Sequence, residues 1–165
     1  MGTHCAMALS YGWAPPGVRL KCDRPKNRGK NVTSIGAIGI NGMLTLQALE
    51  VRNTNPVFEE WIRRYLVPLL HPGNIVIMDN LKQHKQDCVR AAIEEAGASV
   101  LFLPPYSPEL NPIEECWSKI KNYIRRLAPR TLDELQQAIR EAFRIVTSGD
   151  ARGWIKHAGY EVGSM

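Results

Sequence analysis

The sequence predicts an α/β domain in which a mixed β-sheet carries helices on both faces. Three observations support this: a hairpin pattern in the first third, a strand–helix–strand pattern in the middle, and amphipathic helical stretches after it. The 165 residues suffice for one hydrophobic core but not for two. No apolar run approaches the ~18 residues that span a bilayer. We therefore expect one soluble domain over residues 1–165, with no membrane partner.

A hairpin is predicted near the N-terminus. Residues 33–39 and 43–51 alternate or run apolar around Asn41-Gly42, a pair typical of two-residue hairpin loops. Residues 3–10 are a candidate to supply one strand of the hairpin. Residues 55–70 then predict a helix whose apolar positions recur every four residues, with Pro68 disturbing its end.

The middle of the chain predicts a strand–helix–strand unit. The apolar run Ile75 to Met78 lies between Pro72-Gly73 and Asp79-Asn80, which favours a strand buried on both faces. Residues 83–96 read as a helix that stops at Gly97, and residues 99–103 as a second strand. A right-handed crossover makes the two strands parallel.

The helix that follows carries the clearest period in the chain. Asn111 is placed to cap it, and Pro112 occupies the first helical position. Its apolar residues form one stripe at helical spacing: Ile113, Cys116, Trp117, Ile120, Ile124 and Leu127. Such a stripe is more typical of core packing than of ligand binding.

Two further helices are predicted at the C-terminal end. Thr131-Leu132-Asp133-Glu134 has the pattern of a capping box and opens a helix to about Val146. Asp150 is predicted to cap a short final helix that runs through His157.

Two carboxylates are candidate metal ligands. Asp79 follows an apolar strand, where open α/β sheets place their ligands. Glu114 lies at the border of the apolar stripe, whereas Glu115 points away from it, so Glu114 is the better candidate. Spacing alone leaves open whether these glutamates merely favour the positive end of the helix dipole.

Charge is unevenly distributed in a chain of net charge +5. Two basic groups stand out: Arg19, Lys21, Arg24, Lys26, Arg28 and Lys30, and then Lys119, Lys121, Arg125, Arg126 and Arg130. Such groups are either ordinary solvated faces or the electrostatic footprint of nucleic acid. We favour DNA, bound through phosphates at Arg24, Lys26, Arg28, Lys30, Lys121 and Arg125.

Cysteine and histidine usage argues against disulfides and zinc. The four cysteines show no C-x-x-C pair, which favours free thiols in a reducing cytosol. The four histidines are scattered without ligand spacing.

One long motif resembles a known family. It consists of Asp79-Asn80-Leu81, followed by His84-Lys85, and of the run from Leu103 through Tyr106-Ser107-Pro108 to Glu114. This motif closely resembles that of the DDE transposases of the mariner superfamily, above all the branch carried by bacterial insertion sequences. Residues 27–33 and 154–160 are also similar to that branch. The resemblance implies an RNase H-like fold and a two-metal site with Mg²⁺ or Mn²⁺. Asp79 and Glu114 would be the second and third acids.

The resemblance also assigns supporting roles and partners. Asn80, His84 and Asn111 would lie beside the acids, with Asn80 orienting Asp79. The substrates would be DNA at transposon ends and at the target, in the bacterial cytosol near the nucleoid. A full-length transposase or a second copy of the chain is a further expected partner.

The chain departs from the family pattern at its start. The family places its first acid shortly before a loop that corresponds to residues 11–17, and residues 1–22 contain no Asp or Glu. We therefore expect a partial catalytic domain without its helix-turn-helix region, lacking most of the central first strand, and with an incomplete metal site. Such a chain is expected to be inactive alone. The alternatives are a non-catalytic DNA-binding or inhibitory fragment, or another RNase H-like nuclease.

Overall fold

The computed structural model describes residues 1–21, 23, 25–27 and 29–161. Five strands and five α-helices follow one another there, with the hairpin first, then the strand–helix–strand unit, then three helices. The strands form two sheets, and the described residues show no hydrogen-bonded ladder between the sheets.

The first sheet is antiparallel and has three strands. These are β1 (Gly2–His4), β2 (Asn31–Gly39) and β3 (Gly42–Leu49), with β2 in the centre. Gly39 pairs with Gly42, so the two-residue loop consists of residues 40–41. The predicted loop, Asn41-Gly42, was wrong by one residue. A register shift between Ala37 and Ile38 places an extra β3 residue in the ladder, and this bulge moves the turn.

The second sheet is the predicted parallel pair, and the strand–helix–strand unit is confirmed. β4 (Ile75–Met78) and β5 (Ser99–Phe102) pair residue for residue from Ile75 opposite Ser99. Burial on both faces was a wrong expectation, because Ile75 is 64% exposed and Leu101 47% exposed. These side chains share a face, whereas the opposite face packs into the core through residues 76, 78, 100 and 102.

The helix predicted at residues 55–70 changes its winding. α1 covers Asn55–Trp61, a π-helical turn covers Ile62–Leu66, and a 3₁₀ turn covers Val67–Leu69. Pro68 offers a reason, since its ring would clash with the carbonyl group four residues earlier in a regular α-helix.

The helix after β4 begins later than predicted. α2 covers Asp87–Glu95, and residues 81–84 form a turn closed by the amide of His84 on the carbonyl of Leu81, 3.0 Å. Gln86 is extended, and its side-chain amide donates to the carbonyls of Gln83 and Asn55. These bonds hold residues 81–86 as a turn, so His84 precedes the helix.

The last three helices form largely as the sequence indicates. α3 covers Pro112–Leu127, capped by Asn111, whose side chain accepts from the amide of Ile113. α4 covers Leu132–Ile145 and opens with the predicted capping box. α5 covers Ser148–His157, and here the prediction needs correction. Thr147 is the N-cap and Asp150 its capping-box partner, so the helix starts before Asp150.

Two hydrophobic clusters lie on opposite faces of the first sheet. One joins α3 and α4 to β2 and β3, and includes Val32. The other joins α1 and α2 to the β4–β5 pair, and includes Ile35. Because alternate side chains of a strand point to opposite faces, β2 contributes to both clusters. Helices therefore cover both faces of this sheet, as predicted.

Arg130 ties the N-terminal segment to the α3–α4 junction. Its guanidinium group donates to the carbonyls of Cys5 and Met7 at 3.4 and 3.3 Å, and to that of Asp23 at 2.9 Å. This member of the predicted basic groups is therefore engaged in contacts within the chain.

The thiols of Cys5, Cys88 and Cys116 are free, and burial raises the pKa of Cys116 to about 12. Cys22 lies outside the described residues. Within the described part of the chain, every helix is too short or too polar to cross a bilayer.

Candidate active site

A cleft of about 530 Å³ opens at the carboxyl ends of β4 and β5. It is bounded by the residues just after each strand and by the first turn of α3. Asp79 and Glu114 both line this cleft, whereas Glu115 is not among its lining residues. Parallel strands bring their carboxyl ends to one edge of a sheet, which explains why residues distant in sequence meet here. The lining also includes Asn80, Leu81, Lys85, Leu103, Pro104, Pro105, Tyr106, Ser107, Pro108 and Asn111.

Asp79 is held by the turn that follows β4. Its Oδ1 accepts a hydrogen bond from the amide of Leu81 at 3.0 Å and lies 2.6 Å from Nδ1 of His84. The two atoms are within ion-pair distance but form no hydrogen bond, and Nδ1 is buried without another partner. The His84 ring packs against Phe58, with centroids 4.6 Å apart. Packing against Phe58 therefore holds the His84 ring next to Asp79.

The Asn80 side chain joins the two strand ends. Its side-chain amide donates to the carbonyl of Leu103, directly after β5. The amide of Leu103 in turn donates to the carbonyl of Met78 at 2.8 Å. These bonds fix the edge of the sheet at which the cleft opens.

Glu114 extends from the first turn of α3, which Asn111 starts. The helix dipole favours a carboxylate at this position even in the absence of a ligand. Tyr160 supports the segment before the helix, because its hydroxyl donates to the carbonyl of Leu110 at 2.8 Å. Burial raises the pKa of Tyr160. The sequence did not predict this contact, although Tyr160 belongs to residues 154–160, which are similar to the family.

Residue 1 lies in the same neighbourhood. The amino group of Met1 donates to the carbonyl of Ser34 at 2.7 Å. Burial lowers the pKa of this amino group, Lys121 lowers it further, and Glu114 acts in the opposite direction. Met1 also packs against the hydrophobic cluster that includes Cys116 and Trp117 of α3, so residue 1 lies beside this helix.

The chain was compared with known families and structures. Residues 1–136 match the family described as DDE superfamily endonuclease. The chain belongs to this family. None of the curated proteins compared matches it.

Several solved structures share the fold of this DDE endonuclease domain. The Mos1 transposase paired-end complex with left transposon end has a TM-score of 0.74 and 16% identity, over 96% of this chain and 50% of that chain. The mariner Mos1 paired end complex with Mg has a TM-score of 0.69 and 17% identity, over 96% and 49%. The catalytic domain of Mos1 mariner transposase has a TM-score of 0.64 and 16% identity, over 78% and 69%.

These likenesses establish the fold of the DDE domain as RNase H-like, as the sequence predicted. The chain spans about half the length of the two Mos1 chains from the paired-end complexes. Within that fold, the cleft contains the acids that the family motif singles out.

The four predicted DNA-binding cations that the structure describes, Lys26, Lys30, Lys121 and Arg125, do not line the cleft of the DDE domain. Arg24 and Arg28 fall outside the described residues. Lys26 is exposed, Lys30 lies 3.9 Å from Glu50, and Arg125 donates to Asn122 at 2.8 Å. Lys121 is half-buried on α3.

Lys85 is the cation that lines the cleft, and its side chain is exposed. Lys85 belongs to the family motif, but the sequence analysis did not predict a role for it in the site. Its place in the turn after Asp79 was the available signal, because that turn leads out of the strand end.

The acids of the DDE domain suit a hard divalent cation. Carboxylate oxygens are the ligands that Mg²⁺ prefers, and this ion is often bound by one or two carboxylates together with waters and substrate phosphates. Among the described residues, no group of three or more His, Cys, Asp or Glu side chains is close enough to hold a metal. Asp79 and Glu114 thus offer a partial donor set.

Proposed function

We propose that this chain is the catalytic part of a transposase that cleaves and joins DNA strands with the help of Mg²⁺ or Mn²⁺. The observation that carries the proposal is the meeting of Asp79 and Glu114 in one cleft of a DDE endonuclease domain. The Mos1 structures support it, since one contains a transposon end and another contains Mg. The substrate would be bacterial chromosomal DNA in the cytosol, at the ends of the element and at its target.

In this proposal the acidic and the basic residues have different roles at the cleft. Asp79 and Glu114 would hold divalent cations, which when bound activate the attacking oxygen and stabilise the leaving oxygen. His84 and the amide of Leu81 orient Asp79, while Asn111 fixes the helix that carries Glu114. Lys85 would bind a phosphate at the cleft, and Lys26, Lys30, Lys121 and Arg125 would bind phosphates farther along the strand.

We further propose that the chain does not cleave DNA alone. The described residues gather no third acid with Asp79 and Glu114. Without a third acid the cation would be held weakly, and full activity would require a carboxylate from outside residues 1–165. A longer form of the transposase or a second copy would be the natural partner.

The absence of a third acid beside Asp79 and Glu114 among the described residues also favours a second candidate function, that of a non-catalytic DNA-binding or inhibitory fragment. It would occupy DNA through its cations without cutting it. The two candidates differ in whether the cleft binds metal, which makes metal affinity the discriminating measurement.

Titration with Mn²⁺ by calorimetry tests the main proposal. Asp79→Asn and Glu114→Gln should each abolish measurable binding, because each removes half of the donor set. Glu115→Gln is the matched control, since Glu115 is the next residue of the same helical turn, and it should bind as the parent does. Equal losses in Glu114→Gln and Glu115→Gln would refute the assignment of the cleft, and absence of Mn²⁺ binding to the parent would favour the inhibitory fragment.

A gain-of-function experiment tests the need for a third acid. Adding Asp-Glu ahead of Met1 should raise Mn²⁺ affinity and permit nicking of supercoiled plasmid, because Met1 packs beside α3, the helix that carries Glu114. Adding Asn-Gln at the same place should do neither. Metal-dependent nicking by the chain without any addition would contradict the proposed deficiency.

A further inference from the structure

Tyr106 combines an unfavourable backbone conformation with complete exposure. Its φ is 57°, in the left-handed region that residues with a Cβ rarely adopt, and its relative exposure is 101%. Ala128 is the other described residue besides glycine with positive φ, at 49°, but it caps the C-terminal end of α3. Tyr106 caps no helix, so helix termination does not account for its conformation.

The surrounding loop holds Tyr106 in place. Pro104, Pro105 and Pro108 each fix their own φ, and the hydroxyl of Ser107 donates to the carbonyl of Pro105 at 3.4 Å. The 3₁₀ turn at Pro108–Leu110 follows at once, and its end is tied to Tyr160. A large aromatic side chain is thus presented to solvent by a restrained backbone. Backbone strain of this kind concentrates at functional sites.

The location of Tyr106 indicates the kind of ligand that its ring would bind. Tyr106 lines the same cleft as Asp79, Glu114 and the exposed Lys85. An exposed aromatic ring beside a cation is the arrangement by which proteins hold unpaired nucleotides, because the ring stacks on a base while the cation binds a phosphate.

We propose that Tyr106 stacks on an unpaired base next to the phosphate that lies between Asp79 and Glu114. This inference rests on the proposed function, since it assumes that DNA enters the cleft. Bases inside a duplex are already stacked on both faces, so the ring can reach a base only at a duplex end, a nick or an unpaired position. The chain should therefore bind DNA with an unpaired end more tightly than an uninterrupted duplex.

Fluorescence of 2-aminopurine measures the stacking directly. The probe is a short duplex with a single-stranded overhang that carries 2-aminopurine at the first unpaired position, with Ca²⁺ replacing Mg²⁺ to prevent cleavage. The parent chain, Tyr106→Phe and Tyr106→Trp should quench the fluorophore. Tyr106→Ala should lose the quenching and bind the overhang at least about fivefold more weakly. Tyr65→Ala, which removes an exposed tyrosine that does not line the cleft, should behave as the parent does.

A second variant separates loss of the ring from loss of the fold. Tyr106→Gly removes the ring and suits the left-handed backbone, so it should fold normally and still fail to quench. Quenching by the Gly or Ala variant at the parent's level would overturn the inference. Binding of the overhang by the parent without quenching would refute the stacking role but leave the proposed function intact. Absence of any DNA binding would refute both.

Discussion

Nδ1 of His84 lies 2.6 Å from Oδ1 of Asp79, and the ring that carries it packs on Phe58 of α1. Side chains that orient a metal ligand commonly contribute 10- to 100-fold to metal affinity. We expect His84→Ala to weaken Mn²⁺ binding by a factor in that range, as measured by calorimetry. His84→Asn should recover part of the loss, because its amide can donate to Asp79. His71→Ala, at an exposed histidine, should have no effect, and an unchanged affinity in His84→Ala would rule out the orienting role.

Gly36 of β2 has no room for a side chain. A Cβ there would lie 2.8 Å from the carbonyl oxygen of Thr45 and 2.9 Å from the Trp117 ring. We expect Gly36→Ala to lower the free energy of unfolding in urea by roughly 1–3 kcal/mol through overpacking. Gly153→Ala on α5, where the added methyl group has open space, should instead raise it by about 0.5–1 kcal/mol. A Gly36→Ala variant at least as stable as the parent would show that the strand shifts to accommodate the methyl group.

The ion pair between α3 and α5 should make stability depend on acid pH. Lys119 Nζ lies 2.5 Å from Oδ2 of Asp150, and with bonds from Thr147 it lowers the pKa of Asp150 from 3.8 to about 2. A carboxylate with a lowered pKa in the folded state stabilises the fold above pH ~4 and loses that contribution as the pH falls toward 2.

Lys119→Met tests this pair. The pKa of Asp150 should rise, and the loss of unfolding free energy between pH 4 and pH 2 should shrink by on the order of 1 kcal/mol, since solvent partly screens the pair. NMR titration of the Asp150 carboxyl carbon and urea unfolding measure the two effects. Lys156→Met, which removes an exposed lysine on α5, should leave both unchanged. An unmoved Asp150 pKa in Lys119→Met would exclude the pair as the cause.

The affinity for DNA should fall as the salt concentration rises, because the cations outside the cleft bind phosphates and release counterions. Each phosphate contact that is removed should reduce the slope of log K against log salt by about 0.9. We expect Lys121→Ala to show this reduction equally on unrelated duplex sequences, because phosphate contacts carry no sequence information. Arg140→Ala on α4 is the control. If Lys121→Ala leaves the slope unchanged while Arg140→Ala reduces it, DNA crosses the other face of the molecule.

Local patterns in the sequence predicted most of the elements but not their exact limits. The capping box at Thr131 and the cap at Asn111 were found because each depends on neighbouring residues. The start of α2 and the exposure of Ile75 were missed, since they depend on contacts with residues 53–55 and on which faces other elements cover.

For the candidate site, the sequence predicted which acids share the cleft but not the contacts that support them. The motif singled out Asp79 and Glu114, which the structure brings to one cleft. It did not indicate that Asn80 would bond to Leu103, or that Tyr160 would support the segment before α3, because both are long-range contacts without local signatures.

The contacts of Arg130 have a consequence for residues 8–21, most of which are exposed. One guanidinium group holds the carbonyls at both of its ends, so the cost of closing the loop depends little on what lies between them. Tyr11 and Trp13 project from this loop almost fully into solvent. Residues 8–21 can therefore vary in sequence with little effect on how the ends of this segment are held together.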